Sequence, residues 1–165
     1  MQTILILDND PHCQWTLKTL LENEKYIALA VDKIERVLKD FQEFKISALI
    51  TEYRSDHVLL EVVRRLKKRF PKLYVMMLTQ ESLGQKEYKT AIRAGIDDVF
   101  LKPISGEEIL AHLKKGLRQP KEPLYKDGLE QRLSHFRSKK EIQIPQKNQG
   151  ETSQTLPRKI QYSST

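Results

Sequence analysis

Five short apolar runs punctuate the first two-thirds of the chain, and a stretch of helical spacing follows each. Thr3–Leu7 (TILIL) is a continuous apolar run, which predicts a strand buried on both faces. Asp10 and Pro11 then start a helix: Asp accepts from orphan N–H groups and Pro suits the first helical position. Trp15, Leu17, Leu20 and Leu21 supply its apolar spacing. Ile27–Val31 (IALAV) is the second strand, after which Asp32 is expected to cap a helix with Ile34, Val37, Leu38 and Phe41 on one face. Residues 47–51 (SALIT) form the third strand. A helix over about 57–70 carries Leu59, Val62, Val63 and Leu66 inward and a basic run outward, until Pro71 stops it. Residues 73–78 (LYVMML) are the fourth strand. A weaker helix with Tyr88, Ala91, Ile92 and Ala94 ends at Gly95. Residues 99–101 are the fifth strand. Ser105 and Glu108 form a capping box for a last helix bearing Ile109, Leu110, Leu113 and Leu117.

Strands and helices alternating at this length imply a doubly wound α/β domain over residues 1–118. A five-stranded parallel sheet would carry helices on both faces. Beyond Arg118 the character changes. Pro120 and Pro123 suggest a linker, and Leu129, Leu133 and Phe136 allow one short amphipathic helix at about 124–140. From Gln143 the chain has almost no aliphatic residues and is expected to be disordered, so 119–165 is read as linker and basic tail.

Composition narrows the class. Of 165 residues, 31% are charged and 39% hydrophobic, and no apolar run approaches the ~18 residues that span a bilayer. No basic stretch and apolar core of a signal peptide precede the first strand. Cys13 is the single cysteine, so an internal disulfide is excluded and a reducing, cytoplasmic setting is expected. The net charge of +7 is uneven: residues 119–165 hold nine Lys/Arg against five Asp/Glu. That allows a nucleic acid or other polyanion as partner without requiring one.

The candidate chemistry lies at strand ends. Ligands of an open parallel α/β sheet sit outside the carboxyl ends of its strands. The third strand ends on Glu52, and a buried carboxylate is costly unless paired. The first ends in Asp8, Asn9 and Asp10, and the last in Lys102 and Pro103. Asp10 is read as the helix cap. His12 and His57 have no partner at metal-ligand spacing and are read as solvated. The run Arg64, Arg65, Lys67, Lys68, Arg69 is read as a solvated helix face.

Four separated motifs carry a resemblance over residues 1–118: LDNDP at 7–11, TEYR at 51–54, MLT at 77–79 and AGIDDVFLKP at 94–103. With these the chain resembles the receiver domain of bacterial response regulators, the CheY-like, flavodoxin-like fold. The resemblance implies an aspartate at the end of the third strand that takes a phosphoryl group from a histidine kinase. It implies two acids after the first strand holding Mg²⁺, a Thr or Ser after the fourth and a Lys ending the fifth, both gripping the phosphate. Such a site works by positioning and charge neutralisation. A cis Lys102–Pro103 bond is also implied.

The sequence keeps Thr79 and Lys102 but departs elsewhere. Glu52 replaces the acceptor, Asn9 replaces the second acid beside Asp8, and Val99 stands at the position of the switch aromatic while the neighbouring Phe100 points to the opposite face. The loop from Tyr53 to His57 is one residue short and lacks the usual Pro and Gly. The expectation is a degenerate receiver, not an enzyme, in which Glu52 pairs with Lys102 and holds one conformation. Mg²⁺, held by Asp8 if at all, would be weak or absent. Its partner would be a histidine kinase or downstream effector, met through the fourth helix, fifth strand and fifth helix at Tyr88, Arg93, Glu108, His112 and Lys115; a homodimer is also compatible. Two alternatives stay open: polyanion binding through the tail from Lys121 to Lys159, and a relocated phosphoryl acceptor such as Asp8 or Asp56.

Overall fold

A computed structural model of the chain describes residues 1–54 and 57–118. The expectations for 119–165, including the helix at about 124–140, and for Asp56 lie outside the described residues.

The element order is β1(Thr3–Leu7) α1(Pro11–Asn23) β2(Ile27–Val31) α2(Ile34–Glu43) β3(Ile46–Glu52) α3(His57–Arg69) β4(Tyr74–Thr79) α4(Gln85–Ala94) β5(Asp98–Leu101) α5(Gly106–Arg118). The strands form one parallel sheet in the order β2-β1-β3-β4-β5. Alternation along each strand divides the core in two. Leu5, Leu7, Leu49, Val75 and Met77 pack on one face with α2, α3 and α4. Ile4, Ile6, Ala48, Ile50, Tyr74, Met76 and Leu78 pack on the other with α1 and α5. Burial of both faces explains why the central strands read as continuous apolar runs.

Several helix ends follow the local signals. Asp10 accepts from the His12 N–H at 2.9 Å, with Pro11 at the first helical position. Gly95 closes α4 at φ 111°, a left-handed conformation that side chains disfavour. The Glu108 N–H donates to Ser105 Oγ at 3.1 Å before the second turn of α5.

Other expectations are corrected. Asp32 does not cap α2: the cap position is Lys33, with no side-chain hydrogen bond, and the Asp32 carbonyl instead accepts from Arg54 Nη2 at 3.1 Å. Trp15 is 65% exposed and Leu38 is also exposed, although both hold apolar positions in the helical spacing. The sheet covers a narrower stripe of α1 and α2 than their patterns suggest. Strand β3 runs one residue further at each end, so Glu52 is its last member, in register with Leu78. Strand β4 extends to Thr79 and β5 begins at Asp98.

Candidate functional site

Parallel register brings four chain segments to one edge of the sheet. Leu7 pairs with Thr51, Glu52 with Leu78, and Thr79 with Leu101. The residues at and just after these ends, Asp8, Glu52, Gln80 and Lys102, therefore converge. Lys102 Nζ donates to Glu52 Oε1 at 3.0 Å and to Asp8 Oδ2 at 3.3 Å. Asp8 is 2% exposed and Glu52 9% exposed, so both carboxylates need the ammonium that faces them. Burial works against the charge on Lys102, but the Glu52 hydrogen bond and the Asp8 charge outweigh it and hold the ammonium above the ordinary lysine value.

Asp8 is engaged on every side. Its Oδ1 accepts from the Asp10 N–H at 2.9 Å, and its carbonyl accepts from Gln14 Nε2 at 2.6 Å. One turn into α1, burial pushes the Cys13 thiol up to about 11, with a hydrogen bond to Asp8 adding to the effect. The thiol is a neutral neighbour of Asp8.

The remaining strand-end residues are placed differently. Asn9 is exposed at the rim. Thr79 is buried, and its carbonyl accepts from the Lys102 N–H at 2.7 Å. The next residue, Gln80, reaches Glu52: its Nε2 donates to Oε1 at 2.9 Å. The sequence reading missed Gln80, because no local signal marks a glutamine that reaches a carboxylate. Val99 is half-buried against the α2–α4 side of the core, while Phe100 is buried on the α1–α5 side. The Lys102–Pro103 bond is cis.

Tyr88, expected on the partner face, is instead buried in the core beneath α4. Its aromatic ring fills the apolar stripe of a short helix that has few other large residues. Arg93, Glu108 and Lys115 are exposed, and His112 is partly exposed with its ring 4.6 Å edge-on from Phe100. Part of the basic run of α3 is paired. Arg64 and Arg65 pair with Glu61, and Lys67 reaches Asp97 Oδ2 at 2.6 Å. His57 is exposed, and His12 stacks on the ring of Trp15. No helix among the described residues is long and apolar enough to cross a membrane.

Comparison with known proteins agrees with this architecture. A response regulator from Thermotoga maritima superposes with a TM-score of 0.66 at 19% identity, covering 72% of this chain and 99% of that one. A CheY-like receiver domain protein from Methanospirillum hungatei gives 0.64 at 20% identity, covering 80% and 98%. The Thermotoga maritima response regulator DrrB, an OmpR/PhoB homologue, gives 0.64 at 25% identity, covering 76% of this chain and 56% of that one. No curated protein matches the chain significantly. The response regulator receiver domain family matches residues 4–114, two-thirds of the chain. With the parallel five-stranded sheet and the acid–lysine cluster at its carboxyl edge, that match establishes that this chain belongs to the response regulator receiver domain family.

Proposed function

We propose that this receiver domain works in two-component signalling without being phosphorylated, as a non-enzymatic protein-interaction module held in one conformation by its own side chains. The observation that carries the reading is the 3.0 Å contact between Lys102 Nζ and Glu52 Oε1. An aspartate that has gained a phosphoryl group is longer and more negative than aspartate. Glutamate partly reproduces the added reach, with one charge in place of about two. Its extra methylene also moves the carboxylate from where an in-line transfer needs it, and ~1 Å of misplacement can cost ~10²-fold.

The donor set is short of negative charge for Mg²⁺, with its carboxylates already facing Lys102. Both Asp8 oxygens are already engaged, by Lys102 and by the Asp10 N–H. Asn9 brings no charge, and Glu52 Oε1 already accepts from Lys102 and Gln80. Mg²⁺ needs a near-ideal octahedron of oxygens, so we infer weak metal binding and route no step through it. A protein partner would meet the face of α4, β5 and α5, where Arg93, Glu108 and Lys115 are exposed.

The test is incubation of the full chain with acetyl phosphate and Mg²⁺, followed by intact mass. Wild type is expected to stay unmodified, while the Glu52→Asp/Asn9→Asp double variant gains an adduct of about 80 Da. A stoichiometric, hydroxylamine-labile adduct on wild type would overturn the proposal.

A further inference from the structure

We infer that Gln80 is the residue that ties the β4–α4 loop, and through it α4, to the acceptor position. This deepens the reading of Glu52 as a permanent occupant of that position and rests on it.

The geometry starts from register. Glu52 and Leu78 are paired across β3 and β4. Gln80 lies one two-residue repeat beyond Leu78, roughly 6–7 Å along the strand direction. A glutamine side chain is long enough to reach back over that step, and Gln80 Nε2 donates to Glu52 Oε1 at 2.9 Å. The same oxygen accepts from Lys102. The backbone beside Gln80 is pinned as well, because the Lys102 N–H donates to the Thr79 carbonyl. At the far end of the loop, Leu83 is buried in the core with Tyr88 of α4. The loop is thus held at its start by a polar contact to Glu52 and at its end by apolar packing.

Of these attachments, the Gln80 amide is the one that reads the charge of residue 52. It donates to an ionised acceptor, and such bonds are the strong ones. Thr79 is buried, and it is the following residue that reaches Glu52, so the loop senses Glu52 through Gln80. Gln80 is a positioning residue: it sets where the loop stands relative to Glu52.

The experiment is amide hydrogen exchange on the full chain over residues 80–94, for wild type, Gln80→Met, Glu52→Ala and the double variant. Methionine keeps the length of the side chain and removes the donor. The exposed position of Gln80 makes this variant unlike a core substitution. Exchange across the loop and the first turn of α4 is expected to quicken roughly tenfold in Gln80→Met, the effect of losing about 1.4 kcal/mol. In the Glu52→Ala background the Gln80 change is expected to add nothing, because the acceptor is already gone. The Gln80 side-chain amide resonances are expected to differ between wild type and Glu52→Gln, a milder change that keeps a polar acceptor, and unmoved resonances would overturn the assignment. Unchanged exchange in Gln80→Met, or the same increment with and without Glu52, would overturn the assignment. Phosphorylation of wild type would instead defeat the proposed function while leaving this coupling measurable.

Discussion

Lys102 and Glu52 stand 50 positions apart in the chain and 3.0 Å apart in space. Two strands that are not adjacent in the sheet are therefore joined at their carboxyl ends, since β4 lies between β3 and β5. A second contact, from the same ammonium to Asp8 at 3.3 Å, extends the link to β1.

Removing the ammonium should be costly. In Lys102→Met, Asp8 and Glu52 remain as neighbouring buried carboxylates with no cation between them. Breaking a fully buried pair costs about 3–5 kcal/mol, and the 22% exposure of the Lys102 side chain lowers this to roughly 2–4 kcal/mol. Urea unfolding measures it as a lower midpoint at unchanged slope. Glu52→Gln, which keeps an acceptor for Lys102 and Gln80, is expected to cost about 1 kcal/mol.

That penalty should vanish in alkali. The folded-state pKa of Lys102 is raised, so its contribution is fully present below the ordinary lysine value of 10.5 and is lost as pH rises through the folded value. The stability difference between wild type and Lys102→Met is expected to stay level from neutrality to about 10.5 and to shrink above it. A difference that shrinks near neutral pH would contradict the geometry.

Cys13 is a reporter of the same cluster. With its thiol pushed from 9.0 to about 11, the thiolate fraction at neutral pH is about a hundredfold below that of an unperturbed thiol. Alkylation by iodoacetamide is expected to be correspondingly slow. Asp8 raises the thiol and Lys102 lowers it. Asp8→Asn should therefore speed labelling and Lys102→Met should slow it further, as followed by intact mass against pH.

Two glycines mark close approaches. A Cβ at Gly95 would lie 2.6 Å from Lys67 Cγ, at a φ of 111° that side chains avoid. Gly95→Ala would displace the stem that carries Lys67 to Asp97, and is expected to cost about 1–3 kcal/mol. Gly116 lies in the last turns of α5 against the Tyr74 ring. Alanine there should destabilise despite its ~1 kcal/mol helix preference, because the buried ring must move. Thermal unfolding of both variants checks the sign.

Much of the fold was legible along the chain. The run TILIL, the Asp10–Pro11 start and the Gly95 stop each carry their signal within a few residues, and the structure uses each as expected. Asp8, Glu52 and Lys102 could be singled out because a charge ending an apolar strand is itself unusual. Gln80 could not, since nothing local distinguishes a glutamine that reaches a carboxylate from one that faces water. Asp97 was hidden in the same way: it accepts from Lys67 and from the Val75 N–H, both distant in sequence.

Pattern along the chain records whether each position meets water or an apolar neighbour, and that suffices to order the strands and helices and to point their faces. It does not record how wide a stripe of a helix the sheet covers, which is why Trp15 and Leu38 are exposed. Nor does it record which strand ends adjoin, since sheet order and register arise from packing summed over the whole core. The meeting of Asp8, Glu52, Gln80 and Lys102 belongs to that second kind of information, because each contact joins segments that only the assembled sheet brings within hydrogen-bond reach.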